Sequence, residues 1–241
     1  MGIKPLLTKD FATENLKQLA VYEKTGGYTG FKKALEMQPD ALVDLVKASG
    51  LRGRGGAGFP TGNKWSFLPK GMYPRYLVCN ADESEPGCFK DRYLMENSPH
   101  QVLEGILIAS YAIGCNLAFI YIRGEYLPQT EALEAAIDEA RQAGYLGKNV
   151  LGKGYDLDVI LHRGAGAYIC GEETAMLTSL EGSAASRASS RRSRRSRAST
   201  VSRPWSTTSR PSATSRISCS TAPTGSRRSV RQPGPGHGCG A

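Results

Sequence analysis

Apolar residues near the start of the chain recur at helical spacing. They predict a helix over residues 9–23 that stops at Gly26 and Gly27. A second helix is predicted over residues 39–48, beginning with Pro-Asp and ending before Gly50. The pattern therefore predicts an N-terminal helical segment over residues 1–50.

Beyond residue 50, short apolar runs alternate with helical patterns. Buried strands are predicted at residues 75–79, 117–122 and 157–161. Residues 99–113 and 129–143 have helical patterns, and a further helix is predicted to begin near Gly171. Strands that alternate with helices predict an α/β fold with a mostly parallel sheet covered on both faces, here over residues 51–182.

Residues 183–241 show neither the helical period nor the alternation typical of a strand. They contain 12 Arg, no Lys, no acidic residue, and no Leu or Phe. Removing these 12 positive charges from the total of +9 leaves −3 for residues 1–182, so the basic character belongs to this segment alone. Such a composition cannot bury enough apolar surface to offset chain entropy, and it predicts a disordered tail.

A glycine-rich stretch at residues 50–65 is the first candidate site. Its glycines let backbone N–H groups converge on an anion, and Arg52, Arg54 and Lys64 add charge suited to phosphate. Phe59 and Phe67 offer flat surfaces for an adenine ring. A flexible surface loop is the alternative.

Two further motifs follow predicted strands. Residues 80–91 begin with one amide, Asn80, and three carboxylates, Asp82, Glu83 and Glu85, directly after the strand at 75–79, where α/β sheets bind ligands; an ordinary acidic turn is the alternative. Residues 162–174 contain a glycine loop that leads into a helix, whose first N–H groups suit a phosphate. Acidic Glu172 and Glu173 also suit the helix dipole there, which is a purely structural reason for them.

The remaining composition narrows the class of protein. Six widely spaced cysteines form no Cys-x-x-Cys pair and are interpreted as reduced, mostly buried thiols, so no metal site is predicted. No apolar run is long enough to span a bilayer and no signal-peptide pattern follows Met1, so a cytoplasmic location is expected.

The three motifs, in this order and spacing, resemble those of the NADH-binding, FMN-containing flavoprotein subunit of NADH-quinone oxidoreductase, respiratory complex I. The resemblance covers residues 11–182. It implies a Rossmann-like FMN- and NADH-binding domain and hydride transfer from NADH to FMN without an acid or base catalyst. Electrons would then pass to iron–sulfur clusters and quinone. Implied partners are the [2Fe–2S] thioredoxin-like subunit and the large iron–sulfur subunit, at the cytoplasmic face of the inner membrane; nucleic acid is not expected.

The resemblance also implies the binding residues. NADH would be bound by Gly53, Arg54, Gly55, Gly56, Ala57, Gly58, Phe59, Lys64, Phe67, Glu85 and Glu173. FMN would be bound by Asn80, Asp82, Glu83, Gly164, Gly166, Tyr168, Gly171 and Glu172.

The sequence departs from the family after Gly182. The Pro-Pro-Phe-Pro and Asn-Asn-Val-Glu-Thr segments are replaced by Arg and Ser, and the cysteines that would hold a [4Fe–4S] cluster are absent. When plausible GC-rich codons are assigned to the tail and read one frame over, both segments reappear, which favours a frameshift near residues 181–183. The chain as written is therefore expected to have an incomplete flavin site and to be inactive.

Two other functions stay open at this point. A diaphorase subunit of an NAD-linked hydrogenase or formate dehydrogenase would carry similar motifs. A nucleic-acid-binding protein acting through the Arg/Ser-rich tail belongs to a different class.

Overall fold

The computed structural model describes residues 5–55, 57–69, 71–182, 199–202 and 216–221. Three helices form the N-terminal segment: α1 (Leu19–Lys24), α2 (Thr29–Ala34) and α3 (Pro39–Ala48). Helix α3 has the predicted bounds. The helix predicted over residues 9–23 is wrong for its first part, because Asn15 adopts a left-handed backbone (φ 58°) and only its last turns are helical.

The central sheet contains three parallel strands. Strands β1 (Arg75–Ala81), β2 (Leu117–Ile122) and β3 (Asp158–Arg163) lie in the order β3-β2-β1, so Cys79 pairs with Ile120 and Ile120 with Leu161. Each crossover carries helices, which is what parallel pairing requires. The predicted α/β class is confirmed, and β1, β2 and β3 pair in parallel.

The other helices have these bounds: α4 (Thr61–Ser66), α5 (Lys90–Asn97), α6 (Pro99–Ile113), α7 (Leu127–Gln142) and α8 (Glu173–Leu180). Two single 3-10 turns cover Val150–Gly152 and Tyr168–Gly171. The prediction matched α6 in full and located α7 to within two residues, whereas the short helices α2, α4 and α5 were not predicted.

Side chains along the strands alternate between two hydrophobic clusters. Leu77 and Ile120 pack into the larger one, together with residues of α6 and α7, while Val78 and Tyr121 pack into the smaller one with Met176 of α8. Successive side chains of a strand point to opposite faces, so the sheet is covered on both sides. Because the three strands are parallel, their carboxyl ends lie at the same edge of the sheet.

Two more strands extend the sheet beyond β1. Strand β5 (Arg216–Thr221) pairs antiparallel with β1, and β4 (Ser199–Ser202) pairs antiparallel with β5. The disorder predicted for residues 183–241 stays a prediction; within that range the structure describes these two strands alone. The rest of residues 183–241 lies outside the described residues.

The N-terminal helices are attached through a buried polar network. The Glu104 carboxylate of α6 accepts hydrogen bonds from the Tyr22 hydroxyl (2.6 Å) and from the backbone N–H groups of Tyr28 (3.0 Å) and Phe31 (3.1 Å). Nearby, Nδ1 of buried His100 lies 2.9 Å from the Tyr28 hydroxyl. A single acidic side chain thus serves two helices that precede it by more than 70 residues.

None of the helices within the described ranges combines the length and apolarity needed to cross a membrane.

Candidate functional site

The glycine-rich stretch folds into a closed loop that leads into α4. The loop is pinned at its base by the Gly53 N–H, which donates to the Phe59 carbonyl (2.9 Å), and by the Thr61 N–H, which donates to the Leu51 carbonyl (2.8 Å). Gly58 adopts φ +59°, a conformation that favours glycine. The glycines therefore allow a tight turn whose backbone faces open space.

A cleft of about 280 Å³ lies between this loop, α4 and the start of α8. Its described lining residues are Gly53, Gly55, Ala57, Gly58, Phe59, Lys64, Phe67 and Glu173. The structure thus brings the first motif together with Glu173 of the third motif, although 106 positions separate Phe67 from Glu173. All eight belong to the set predicted for NADH, and their binding role stays a prediction.

Two aromatic rings form one wall of the cleft. The ring centroids of Phe59 and Phe67 are 5.8 Å apart, with 54° between the planes. Phe67 lines the cleft and leaves 64% of its surface exposed, so its ring is accessible to a ligand. The lining of the cleft combines apolar rings with charged side chains, which suits a flat ring with polar edges.

Three residues predicted for NADH are not among the described lining residues. Arg54 is partly buried, and its Nε has no hydrogen-bond partner in the described part of the chain. Gly56 lies outside the described residues. Glu85 instead accepts a short hydrogen bond from the Tyr168 hydroxyl, which raises the pKa of Tyr168 and ties the second motif to the third.

Asn80, at the carboxyl end of β1, connects two loops. Its Nδ2 donates to the Gly171 carbonyl (3.0 Å), and its Oδ1 accepts from the Asp82 N–H (3.0 Å). The side chain is fully buried. Asn80 and Gly171, both predicted to bind FMN, are therefore in contact, and these two hydrogen bonds of Asn80 are to protein backbone.

Asp82 is a buried carboxyl group at the same strand end, with 4% of its surface exposed. Burial raises the pKa of Asp82, whereas the Ser84 hydroxyl and the positive charge of Arg123 lower it. The pKa of Asp82 therefore depends on the balance between burial and these neighbouring groups.

Glu83 is a buried residue that serves as a helix cap. Its carboxylate accepts from the backbone N–H groups of Asp91 (2.8 Å) and Arg92 (3.2 Å) in the first turn of α5, and it pairs with the Arg92 guanidinium at 3.6 Å. The Glu83 side chain is fully buried. In this conformation its carboxylate is used inside the protein, so the predicted flavin contact has no geometric support.

The glycine loop after β3 is packed against the loop after β2. A Cβ at Gly124 would lie 2.3 Å from the Gly164 carbonyl oxygen, and a Cβ at Gly164 would lie 2.8 Å from the Tyr121 hydroxyl. Gly166 adopts φ +84° beside the Glu125 carboxylate. Glycine is therefore required at these positions because the two protein loops pack closely against each other.

Glu172 and Glu173, adjacent in sequence, have different surroundings. The Glu172 carboxylate caps α8 by accepting from the N–H groups of Thr174 (3.0 Å) and Ala175 (3.1 Å). Glu173 lines the cleft. The structural alternative that the sequence offered thus accounts for Glu172, while Glu173 remains at the candidate site.

The loop of residues 123–126 was missed by sequence reasoning. It directly follows β2, and the Tyr126 hydroxyl donates to the Glu83 carbonyl (3.0 Å). The Arg123 guanidinium approaches the same carbonyl at 3.4 Å. The rule that ligands bind beyond the carboxyl ends of strands, applied to β1 and β3, would have pointed here as well.

Cysteines show no sign of chemistry in the described residues. Cys79, Cys88, Cys115 and Cys170 are free and buried, as predicted. Burial raises the pKa of Cys115 to about 11, so this thiol stays protonated at neutral pH. Within the described ranges there is no group of three or more His, Cys, Asp or Glu that could hold a metal ion.

Fold and site together define an α/β domain with glycine-rich loops around a cleft beside the carboxyl edge of a parallel sheet. The sequence model of the Nuo51 FMN-binding domain family matches residues 46–197. The chain therefore belongs to this family. The match extends past the predicted boundary at Gly182, into residues that the structure does not describe.

Individual relatives are similar over the same part of the chain. The F-type subunit numbered 2 of the NADH-quinone oxidoreductase of Rhizobium meliloti (strain 1021) is 56% identical over 184 residues, 76% of this chain and 44% of the relative. The corresponding F-type subunit of Aquifex aeolicus (strain VF5) is 56% identical over 177 residues, 73% of this chain and 42% of the relative. The chain thus spans less than half the length of these relatives.

A solved structure supports the fold. The NAD+-reducing [NiFe]-hydrogenase in its H2-reduced state is similar with a TM-score of 0.62 and 38% identity, over 79% of this chain and 30% of that chain.

Proposed function

We propose that this chain is the nucleotide- and flavin-binding part of an NADH dehydrogenase subunit of respiratory complex I, with a Rossmann-like domain. One observation carries the proposal: in a member of the Nuo51 FMN-binding domain family, the glycine loop, the Phe59–Phe67 wall and Glu173 converge on one cleft. The volume of this cleft is near the lower end of the usual range for ligand pockets. It suits the adenosine half of NADH rather than the whole dinucleotide.

The residues that would hold FMN lie at the adjacent strand ends. A Cβ at Gly171 would meet only the Asp82 carbonyl, at 3.9 Å, so backbone can approach a ligand there. Asp82, when ionised, is an acceptor suited to the hydroxyl groups of a ribityl chain. The backbone at Gly171 and the Asp82 carboxylate thus fit the polar groups of FMN. In the neighbouring cleft, Lys64 supplies positive charge suited to the phosphates of NADH, and Glu173 closes that cleft from α8.

Bound FMN would supply a hydride acceptor for NADH and one-electron transfer onward, chemistry that requires no acid or base from the protein. The contribution of this chain is to orient the two rings. The outgoing electrons would go to the [2Fe–2S] thioredoxin-like subunit and the large iron–sulfur subunit, at the cytoplasmic face of the inner membrane. A diaphorase subunit of an NAD+-reducing hydrogenase is the second candidate, favoured by the hydrogenase structure that shares this fold.

The adenosine site can be tested on the chain as it stands by saturation-transfer NMR with NADH. We expect saturation of the adenine protons, and its loss in Phe59→Ala and Phe67→Ala. The matched control is Phe89→Ala, because Phe89 is 60% exposed and forms a similar ring pair with Tyr93 away from the cleft. Equal transfer in all variants, or none in the unmodified chain, contradicts the proposed site.

The segment after Gly182 requires a separate proposal. We infer that it results from a shift of reading frame near residues 181–183, as its composition and the alternative reading indicate. Resequencing the coding DNA across this region and past the stop codon tests the inference. A single-base change that restores Pro-Pro-Phe-Pro and Asn-Asn-Val-Glu-Thr supports it, and a confirmed frame overturns it.

A further inference from the structure

The loop of residues 123–126, which follows β2, contacts both of the loops that the proposed flavin site uses. On one side, the guanidinium of Arg163, the last residue of β3, donates to the Gly124 carbonyl (2.8 Å). On the other side, the Tyr126 hydroxyl donates to the Glu83 carbonyl (3.0 Å) in the loop that follows β1. The loop of residues 123–126 therefore connects the carboxyl ends of all three parallel strands.

Tyr126 presents its hydroxyl group in a fixed position. The side chain is buried, its ring lies under the Arg92 guanidinium (4.9 Å to the ring centre), and its backbone carbonyl accepts from the Thr130 N–H (2.9 Å) and hydroxyl (2.7 Å). The Tyr126 hydroxyl has one proton to donate, and the Glu83 carbonyl is nearer to it than the Glu83 carboxylate (3.3 Å), which already accepts from the first turn of α5. The Arg123 guanidinium approaches the same carbonyl at 3.4 Å, so Tyr126 provides the stronger of the two contacts.

The Glu83 carbonyl belongs to the peptide unit that joins Glu83 to Ser84. Because a peptide unit is planar and trans, holding this carbonyl on the Tyr126 side directs the Ser84 N–H to the opposite side. The peptide follows Asp82 directly, beyond the carboxyl end of β1, where α/β sheets bind ligands. The Tyr126 hydrogen bond therefore fixes the directions in which this loop presents its backbone acceptor and donor.

We propose that Tyr126 is a positioning residue of the flavin site: by holding the Glu83 carbonyl, it fixes the Glu83–Ser84 peptide in the orientation in which the loop of residues 82–85 binds FMN. The ligand part of this inference rests on the proposed flavin site. The hydrogen bond itself concerns the chain alone and can be measured without any ligand.

The test compares two substitutions that each remove one hydroxyl group. Tyr126→Phe keeps the buried ring under Arg92 and removes the hydrogen bond to the Glu83 carbonyl. Tyr111→Phe is the matched control, because the Tyr111 hydroxyl also donates to a backbone carbonyl, that of Met37 (2.8 Å). Tyr111 lies near the C-terminal end of α6, at the opposite edge of the sheet, where β2 begins.

Three readouts separate the contact, the flavin site and the neighbouring cleft. The first is the NMR signal of the Glu83–Ser84 peptide in chain labelled with ¹³C at the Glu carbonyl and ¹⁵N at Ser. Glu83–Ser84 is the only Glu–Ser pair in the sequence, so a single correlated signal is obtained and needs no further assignment. The second is FMN affinity from quenching of flavin fluorescence, and the third is saturation transfer to the adenine protons of NADH.

We expect the Glu83–Ser84 signal to move in Tyr126→Phe, because the carbonyl loses its hydrogen bond, and to stay in place in Tyr111→Phe. FMN affinity should fall roughly threefold to tenfold in Tyr126→Phe, as on loss of one hydrogen bond, and should not change in Tyr111→Phe. Saturation transfer to adenine should be the same in both variants as in the unmodified chain, because the cleft at Phe59 and Phe67 does not include Tyr126.

A Glu83–Ser84 signal that does not move in Tyr126→Phe overturns the proposal, even if FMN affinity falls. A fall in FMN affinity that is accompanied by an equal loss of adenine saturation transfer indicates general damage to the fold and overturns it too, as does an unchanged FMN affinity. If the unmodified chain binds no FMN while the signal moves as expected, the proposed flavin site fails and the fixed orientation of the peptide stands.

Discussion

Replacing Glu104 with alanine tests the network that attaches the N-terminal helices to the rest of the fold. Helix α2 begins at Thr29, and the side chain of its N-cap residue, Tyr28, gives the helix no hydrogen bond. Glu104, which lies on α6, caps α2 instead, because its carboxylate accepts from the N–H groups of Tyr28 and Phe31. A Cβ at Gly30 would lie 3.0 Å from the same carboxylate, so glycine lets Glu104 approach the helix start.

The magnitude follows from the donors that would lose their acceptor. Glu104→Ala leaves three of them, namely the Tyr22 hydroxyl and the two backbone N–H groups. Each buried, unsatisfied donor costs about 1–3 kcal/mol, and water can enter the vacated space, so the lower end applies and the loss is about 3 kcal/mol. For a domain of this size that corresponds to a fall in Tm of about 6–12 °C. The loss is a large fraction of a typical stability of about 5–15 kcal/mol.

Urea unfolding followed by far-UV circular dichroism measures this free energy. Glu104→Gln retains one acceptor oxygen and should lose less than Glu104→Ala. The control is Glu134→Ala, an exposed glutamate of α7, for which we expect a change within about 0.5 kcal/mol. If Glu104→Ala loses less than about 1 kcal/mol, the reasoning from unsatisfied donors is refuted.

Three further substitutions test other parts of the fold. Glu172→Ala removes the α8 cap and should cost about 1 kcal/mol in urea unfolding; no loss would show that the cap is dispensable. Gly124→Ala places a Cβ 2.3 Å from the Gly164 carbonyl oxygen and should cost about 1–3 kcal/mol, which an unchanged Tm would contradict. Burial lowers the pKa of His100 against the opposing effect of Glu139, so the native state binds its proton less readily than the unfolded chain. The free energy of unfolding should therefore fall as pH drops below about 6.5, and His100→Gln should reduce that slope; equal slopes would count against this account.

Elements with a long, regular pattern were predictable from sequence. Helices α3 and α6 and strand β2 have the predicted bounds, because their apolar residues and end signals are local. Helices α2 and α5 escaped prediction because their N-termini are capped by Glu104 and Glu83, which local pattern rules do not assign to them. The strand β5 escaped because its pairing with β1 depends on a free sheet edge, which exists only after folding.

The candidate site, too, was predictable from the sequence only in part. The glycine loop and the two phenylalanines were found from residue type and spacing, and the fold places them with Glu173 in one cleft. Motif reasoning could not tell that neighbouring Glu172 would turn inward as a cap. Adjacent positions at a helix start face different directions, and only tertiary packing decides which of two acids caps the helix and which lines the cleft.

Several acidic residues of the motifs therefore stabilise the protein structure at the strand ends. Glu83 caps α5 and Glu172 caps α8, so each satisfies backbone N–H groups that would otherwise need water or a ligand. The carboxylates of Glu83 and Glu172 thereby hold the helices that flank Asp82 and carry Glu173. Substituting a cap would displace the start of its helix and the adjoining loop, whether or not the substituted residue touches a ligand. Loss of ligand binding in Glu83 or Glu172 variants is consequently no evidence of direct contact unless the loop geometry is measured as well.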